Sequence, residues 1–308
     1  MSAFLVTGAT GRHGGTGAYV ARRLKAEGHP VRVLVRRDDE RSRKLAEEGF
    51  DVRWGDLRDR SSLPAALEGV THASFCFPVD AGIVDAAASF ASALKDVSPR
   101  ARVVVMSMIP AHPKSPSPLG RAQWLAEELI AWAGLDATVL RIAAMFYENI
   151  GLLHGASIRA EGVMRNCFGD ARAPWIAGDD AAELVVAALL HPERFQGKSV
   201  HYPPGSALLS HRELANELSE ATGEPVRYEA VSRADWRTEL IALASRPGTP
   251  INVEMANHIS VLGQAVSEKG AGVPPDAATL ERLTGKAPLS FRQYAHAHLA
   301  QFKREVRA

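Results

Sequence analysis

Short apolar runs alternate with helix-periodic stretches through the first half of the chain. The runs are AFLVTG (3–8), VRVLVR (31–36), FDVRWGD (50–56), THASFCF (71–77), ARVVVMS (101–107) and DATVLRI (136–142). Val, Leu and Ile dominate them without strict polar alternation, the pattern of parallel strands covered on both faces. Helical spacing between them predicts helices over 15–27, 40–48, 61–68, 81–96 and 118–133. The last carries its own punctuation, with Ser117 as N-cap, Pro118 at the first helical position and Gly134 beyond the last turn. Within it Trp124, Leu125 and Leu129 read as core-facing, and Glu127 and Glu128 as charges on the helix face. Such alternation predicts an α/β fold built on a doubly wound parallel sheet.

The rhythm changes after about residue 145. Helices are predicted over 179–190, 210–222, 232–245, 276–284 and 290–305, with brief strand-like runs at KSVHYP and PVRYEAV. Asp179 and Asp180 suit a helix start. Residues 145–168, with Met145, Phe146, Leu152, Leu153 and Met164, read either as a lobe core or as a pocket for a flat apolar ligand. IPAHPKSPSPLG (109–120) reads as a loop at a strand's carboxyl end, where doubly wound sheets bind ligands.

Composition narrows the function classes. The chain has 308 residues, 46% hydrophobic and 23% charged, enough for one large domain with a smaller lobe. A formal charge of +1 provides no field for a polyanion, so no nucleic-acid partner is expected. No stretch approaches the roughly 20 apolar residues of a membrane span, and MSAFLVTG lacks a leader pattern, so a cytoplasmic location is expected. Cys76 and Cys167 stand far apart without a CxxC spacing, which argues against a disulfide framework or a zinc site. His296 and His298 point to different helix faces, so no metal site is expected.

The loop after the first strand, VTGATGRHGGTGAYVARRL, carries the chemistry. Gly8, Gly11 and Gly14 recur at a spacing of three between a strand and a helix. Glycines let the backbone approach a pyrophosphate, and the following helix offers free N–H groups and a positive dipole end. Thr10, Arg12 and His13 complete the expected dinucleotide loop. The second strand ends in VLVRRDDERSRK, where Arg36 and Arg37 precede Asp38 and Asp39. Guanidinium groups there suit a 2′-phosphate, so NADP(H) is favoured, while Asp38 keeps NAD(H) open. Asp56 and Leu57 are expected beside the adenine. Phe77 and Pro78 line its ribose side, or in the case of Phe77 simply pack in the core.

Several separated segments together resemble the NmrA-like group of atypical short-chain dehydrogenases/reductases. They include VTGATGRHGG, AEELIAWAGLDATVLRIAAMFYENI, WIAGDDAAELVVAALLHPERFQGKSVHY and GKAPLSFRQYAHAHLAQF. The resemblance implies a Rossmann domain over 1–150 that binds NAD(P) and a mostly helical substrate lobe over 151–308. Roughly 175–203 would return to the Rossmann sheet, and a cleft would hold nicotinamide and substrate. It further implies either hydride transfer to a quinone or related conjugated or aromatic carbonyl compound, including natural-product tailoring, or a non-catalytic redox sensor acting through protein partners. A monomer or homodimer fits either reading.

Ordinary members of the superfamily use a Tyr-x-x-x-Lys pair. The tyrosines are 19, 147, 202, 228 and 294, and none has Lys four residues later. Where many NmrA-like reductases keep a lysine, four residues before the helix glutamate, this chain has Gln123. Ser107, His112, Gln123 and Tyr147 are therefore the candidate catalytic groups, and Lys114, Phe146, Asn149 and His154 the candidate substrate contacts.

Overall fold

The computed structural model describes residues 3–11 and 15–303. Arg12, His13 and Gly14 of the expected loop thus lie outside the described residues. The strands in chain order begin with β1 (Ala3–Val6), β2 (Val31–Val35), β3 (Asp51–Trp54), β4 (Val70–Phe75), β5 (Arg102–Met108) and β6 (Asp136–Ile142). There follow β7 (Met145–Phe146), β8 (Val163–Asn166), β9 (Arg172–Ile176), β10 (Val200–His201), β11 (Ala207–Ser210) and β12 (Arg227–Ala230). Helices of the first part are α1 (Thr16–Ala26), α2 (Glu40–Glu47), α3 (Pro64–Leu67), α4 (Ile83–Val97) and α5 (Pro118–Trp132). Then come α6 (Glu148–Glu161), α7 (Gly178–Leu190), α8 (His211–Thr222) and α9 (Arg233–Ala244). The series closes with α10 (Val253–Lys269), α11 (Ala277–Thr284) and α12 (Phe291–Ala297).

These elements form two compact units. The sheet unit runs up to Ile142 and regains Ala181–Pro203; the pocket unit takes Ala143–Asp180 and the chain from Pro204 onward. The division falls at Ile142 where 150 was expected, and the returning segment starts at Ala181 where 175 was expected. The reason is β9, which pairs with β7 and β11 of the pocket unit.

In the sheet unit seven strands lie in the order β10-β6-β5-β4-β1-β2-β3, each neighbouring pair parallel. The order reverses between β1 and β4, the point at which open α/β sheets leave a crevice beyond the strand ends. Leu5, Phe75, Val103 and Val105 of the sheet pack with Phe90 and Leu94 of α4 and Ile130 of α5. The helix α5 starts as expected, with Ser117 accepting from Gly120 N, but it buries a different face. Leu119, Gln123, Ala126, Glu127 and Ile130 are buried, whereas Leu125 is 39% exposed, Trp132 is 69% exposed and Trp124 and Leu129 are only half-buried. Two polar groups on the inward face misdirect a reading based on hydrophobicity.

The pocket unit is mostly helical, yet it holds the three-stranded sheet β11-β9-β7 and the pair β12-β8. Runs such as VMRN and ALLS have only four residues each, too few for a period to show. The expected helix over 290–305 stops at Ala297, followed by a 3-10 turn over Leu299–Gln301. Tyr147, Trp175, Leu214, Tyr228, Phe291 and Tyr294 form one core, and Phe168, Trp236, Leu240 and Ala256 a second.

Candidate functional site

The glycine loop leaves β1 at the point where the strand order reverses. Thr7 pins this end to β4: its hydroxyl donates to Cys76 O at 2.9 Å and accepts from Cys76 N at 2.8 Å. Gly8 takes a φ of +73°, and a Cβ there would lie 3.1 Å from Cys76 O. Gly11 N donates to Gly8 O at 2.9 Å, closing the turn. A Cβ on Gly17, in the first turn of α1, would stand 2.5 Å from Gly8 C and O, so only glycine lets the helix approach the loop. The N-cap of α1 is Gly15, which provides no side-chain cap, and the first turn contains no acidic residue. First-turn N–H groups with a positive dipole end and no competing carboxylate fit a pyrophosphate.

The rim beyond β2 is rich in arginine. Arg36 and Arg37 are exposed, and Arg36 Nη1 lies 3.8 Å from Asp56 Oδ2. The acidic residues that follow are engaged elsewhere. Asp38 pairs with Arg43 at 2.8 Å, and Asp39 caps α2 through Ser42 N and Arg41 N. Arg41 also donates to Thr10 O, tying α2 to the glycine loop. Leu57 and Phe77 are half-buried against the sheet unit's core, while Pro78 is exposed. Phe77 thus packs on the core with part of its ring still exposed.

At the end of β5, Ser107 is buried and donates its proton to Glu127 Oε1. Arg141 on β6 donates through Nε to Glu127 Oε2 at 2.9 Å and through Nη1 to Tyr202 Oη at 2.8 Å. Glu127, its side chain 4% exposed, is the buried member of an ion pair and not a solvated helix-face charge. Because the single hydroxyl proton of Ser107 is committed to Glu127, Ser107 has only lone pairs left to offer a ligand. Gln123 is buried one turn before Glu127. His112 and Lys114 are exposed, and His112 Nδ1 accepts from Lys114 N at 3.1 Å in the loop after β5.

The pocket unit gathers a separate set. Met145, Asn149, Ile150, Leu153, His154, Phe168, Trp175, His211, Trp236 and Ile259 line a small cavity of about 20 Å³, partly open to solvent. His154 stacks on Trp236 with ring centroids 6.3 Å apart and meets His211 edge-on at 6.2 Å. Burial pushes the His154 imidazole down to about 3, and His211 well below its ordinary value, so both are neutral at physiological pH. Asn166 fixes the tautomer of His154. Its Oδ1 accepts from Phe168 N at 3.1 Å and Tyr228 Oη at 2.9 Å, which turns its Nδ2 toward His154 Nε2 at 3.5 Å. Nε2 is then the acceptor and Nδ1 carries the proton.

Of the expected substrate contacts, Asn149 and His154 share this cavity, whereas Phe146 is half-buried beside it and does not line it. Tyr147 requires a correction. It is fully buried among Trp175, Phe291 and Tyr294, its hydroxyl lies 3.2 Å from Ser206 Oγ, and burial pushes it up to about 12. It is a core residue without access to a reacting carbonyl. Sequence reasoning missed Thr7, Gly17, His211, Trp236 and the partnership of Glu127 with Arg141. An arginine inside the apolar strand TVLRI was the available signal for the last, since a half-buried guanidinium calls for a carboxylate. Among the described residues no group of three or more His, Cys, Asp or Glu is placed to hold a metal, and no helix is long and apolar enough to cross a membrane.

The sheet order and the glycine turn at its reversal define the Rossmann-like class of α/β proteins. Residues 1–287 match the NmrA-like family, and the chain belongs to that family. It is similar to the NAD(P)H azoreductase of Xenophilus azovorans, 31% identical over 306 residues that cover 97% of this chain and 98% of that protein. It is also 30% identical, over 98% of this chain and 99% of the other, to the (4-alkanoyl-5-oxo-2,5-dihydrofuran-3-yl)methyl phosphate reductase of Streptomyces griseus. The fold is shared with the NADPH-complexed, NADPH-dependent quinone oxidoreductase of Escherichia coli, with a TM-score of 0.78 and 24% identity over 97% of this chain and 100% of that one.

Proposed function

We propose that the protein is an NAD(P)H-dependent oxidoreductase that transfers hydride to a quinone, an azo compound or a related conjugated acceptor, with NADP(H) favoured. The observation that carries the reading is the uncapped start of α1 behind a glycine turn, at the reversal of the sheet order, in a chain of the NmrA-like family. The names of its relatives support the reaction class: an azoreductase and a butenolide-phosphate reductase at about 30% identity.

In this reading the main chain around Gly8 and Gly11 holds the pyrophosphate. Arg36 and Arg37 hold the 2′-phosphate, and Asp56 and Leu57 border the adenine. Bound reduced dinucleotide supplies the hydride. Residues of the pocket unit contact the acceptor, with Asn149 and His154 as the candidate polar partners. A conjugated acceptor spreads the incoming charge over its own π-system, so the chain can dispense with a Tyr-Lys pair and rely on positioning. His112 and Lys114 remain the exposed polar groups able to act after β5.

Mixing the protein with NADPH and a panel of quinones and azo compounds tests the proposal by loss of reduced-nicotinamide absorbance. Turnover of at least one class is expected. Saturable dinucleotide binding with no turnover across the panel would replace the enzyme by a redox sensor.

A further inference from the structure

We propose that Ser107 recognises the nicotinamide end of the dinucleotide as a hydrogen-bond acceptor, taking an N–H of its carboxamide. Glu127, clamped by Arg141, is the positioning residue that fixes the hydroxyl in that sense. The inference rests on the dinucleotide reading above and adds a polarity at one end of that site.

The sheet order places Ser107 on the appropriate flank. The glycine turn stands at the end of β1, and the arginine rim lies beyond β2 to one side of it. A dinucleotide with its 2′-phosphate on that rim runs its other half over the ends of β4 and β5. Ser107 is the last residue but one of β5, two strand spacings or about 10 Å from β1. It continues the face of Val103 and Val105, which α4 and α5 cover, so its side chain meets α5.

The hydrogen-bond chain then sets the direction. Arg141 donates to Glu127 Oε2 through Nε at 2.9 Å and Nη2 at 2.5 Å, and to Tyr202 Oη through Nη1 at 2.8 Å. The other carboxylate oxygen, Oε1, takes the Ser107 proton. Burial lifts the Glu127 carboxyl above its ordinary value, and the bonds from Arg141 and Ser107 oppose that lift. A serine hydroxyl has one proton and two lone pairs, so here it accepts and does not donate. A carboxamide N–H satisfies it; an oxyanion or a bare carbonyl oxygen does not. Ser107 is thereby removed as a proton donor to the substrate.

Isothermal titration calorimetry of the full-length protein with NADP+ and its 3-acetylpyridine analogue tests the assignment. The analogue keeps the carbonyl and replaces the amino group of the carboxamide by a methyl group, so it lacks the donor. The wild type is expected to bind NADP+ about tenfold more tightly than the analogue. Ser107→Ala should bring the two within about twofold, while 2′,5′-ADP, which has no nicotinamide, keeps its wild-type affinity. Glu127→Gln presents an amide able to donate to Ser107, so the hydroxyl turns and the preference should fall below about threefold. Ser107→Ala leaves the Glu127–Arg141 pair intact, so the test survives a failure of Glu127→Gln to fold. Equal binding by the wild type, or a preference that survives Ser107→Ala, overturns the Ser107 assignment alone. A preference kept in folded Glu127→Gln overturns the positioning role of Glu127. Absence of saturable binding by both NADP+ and 2′,5′-ADP overturns the dinucleotide reading together with the inference.

Discussion

The glycine loop of the sheet unit and the cavity of the pocket unit are built by opposite means. The loop is built by subtraction: Gly8, Gly11 and Gly17 leave out side chains that would meet neighbouring backbone and so keep main-chain N–H groups and a helix end uncovered. Its rim is charged and exposed. The cavity works by addition, with Trp175, Trp236, Phe168 and two neutral imidazoles supplied by separate elements. A backbone site recognises what all dinucleotides share, whereas a site made of side chains is free to differ between relatives. One family can therefore keep its cofactor while its substrates diverge.

That contrast can be broken at several points. The largest effect is expected from Gly17→Val, because the first added carbon already meets the Gly8 backbone at 2.5 Å. NADPH affinity should fall more than about 100-fold and stability by about 3 kcal/mol, read by fluorescence titration and thermal melting. Wild-type affinity in this variant would end the claim that bare main chain makes the site. Next, the double variant Arg36→Ala/Arg37→Ala should weaken NADPH about 10- to 100-fold and NADH less than about threefold. Equal losses would reassign the two arginines to plain surface charge.

A third probe uses a half-buried carboxyl in the pocket unit. Glu148 accepts from Gly178 N through both carboxylate oxygens, at 3.0 and 3.1 Å, yet burial pushes it up from 4.5 to about 7. A raised carboxyl favours the protonated folded state, so its stabilising effect is complete below about pH 4.5 and lost as pH rises through about 7. Glu148→Gln should be more stable than wild type at pH 8 by about 1–3 kcal/mol, with the gap closing toward pH 4.5. A constant gap across the range would refute the assignment. His154, His211 and His258 shift in the opposite sense, but they are common to both proteins and cancel in the difference. The smallest effect is ionic: raising salt from about 0.05 to about 0.5 M should weaken NADPH several-fold and NADH less. Parallel losses would mean that the two arginines add no charge to the site.

Most of the sheet unit is legible in the sequence because its signals are local. Most of its strands are runs of apolar residues, the edge strand β3 (DVRW) excepted, and Ser117, Pro118 and Gly134 mark both ends of α5. The glycine loop is equally local. The cavity is not, because its walls come from β7, α6, β9, α8, α9, α10 and the chain after β8, with no shared motif. Asn149 and His154 lie close together in the segment 145–168 that reads as lobe core or pocket; His211 and Trp236, far along the chain, give no sign of pointing to the same place. Tyr147 misled for a related reason, since a tyrosine in FYENI has the same letters whether its hydroxyl faces a ligand or Ser206. Glu127 misled because hydrophobic patterning has no term for a polar pair that satisfies itself in the interior.

The seventh strand has a consequence for how the chain is made. β10 pairs with β6 through Val200↔Val139 and His201↔Leu140, so the last ladder of the sheet waits for a segment synthesised some sixty residues later. Until then β6 is a naked margin, open to pairing with a neighbouring nascent chain. Tyr202, arriving just behind β10, latches onto Arg141 and closes that margin. A chain cut after Ile142 would carry every residue of the glycine loop and still display an unsealed flank, which makes such a fragment a poor stand-in for the whole.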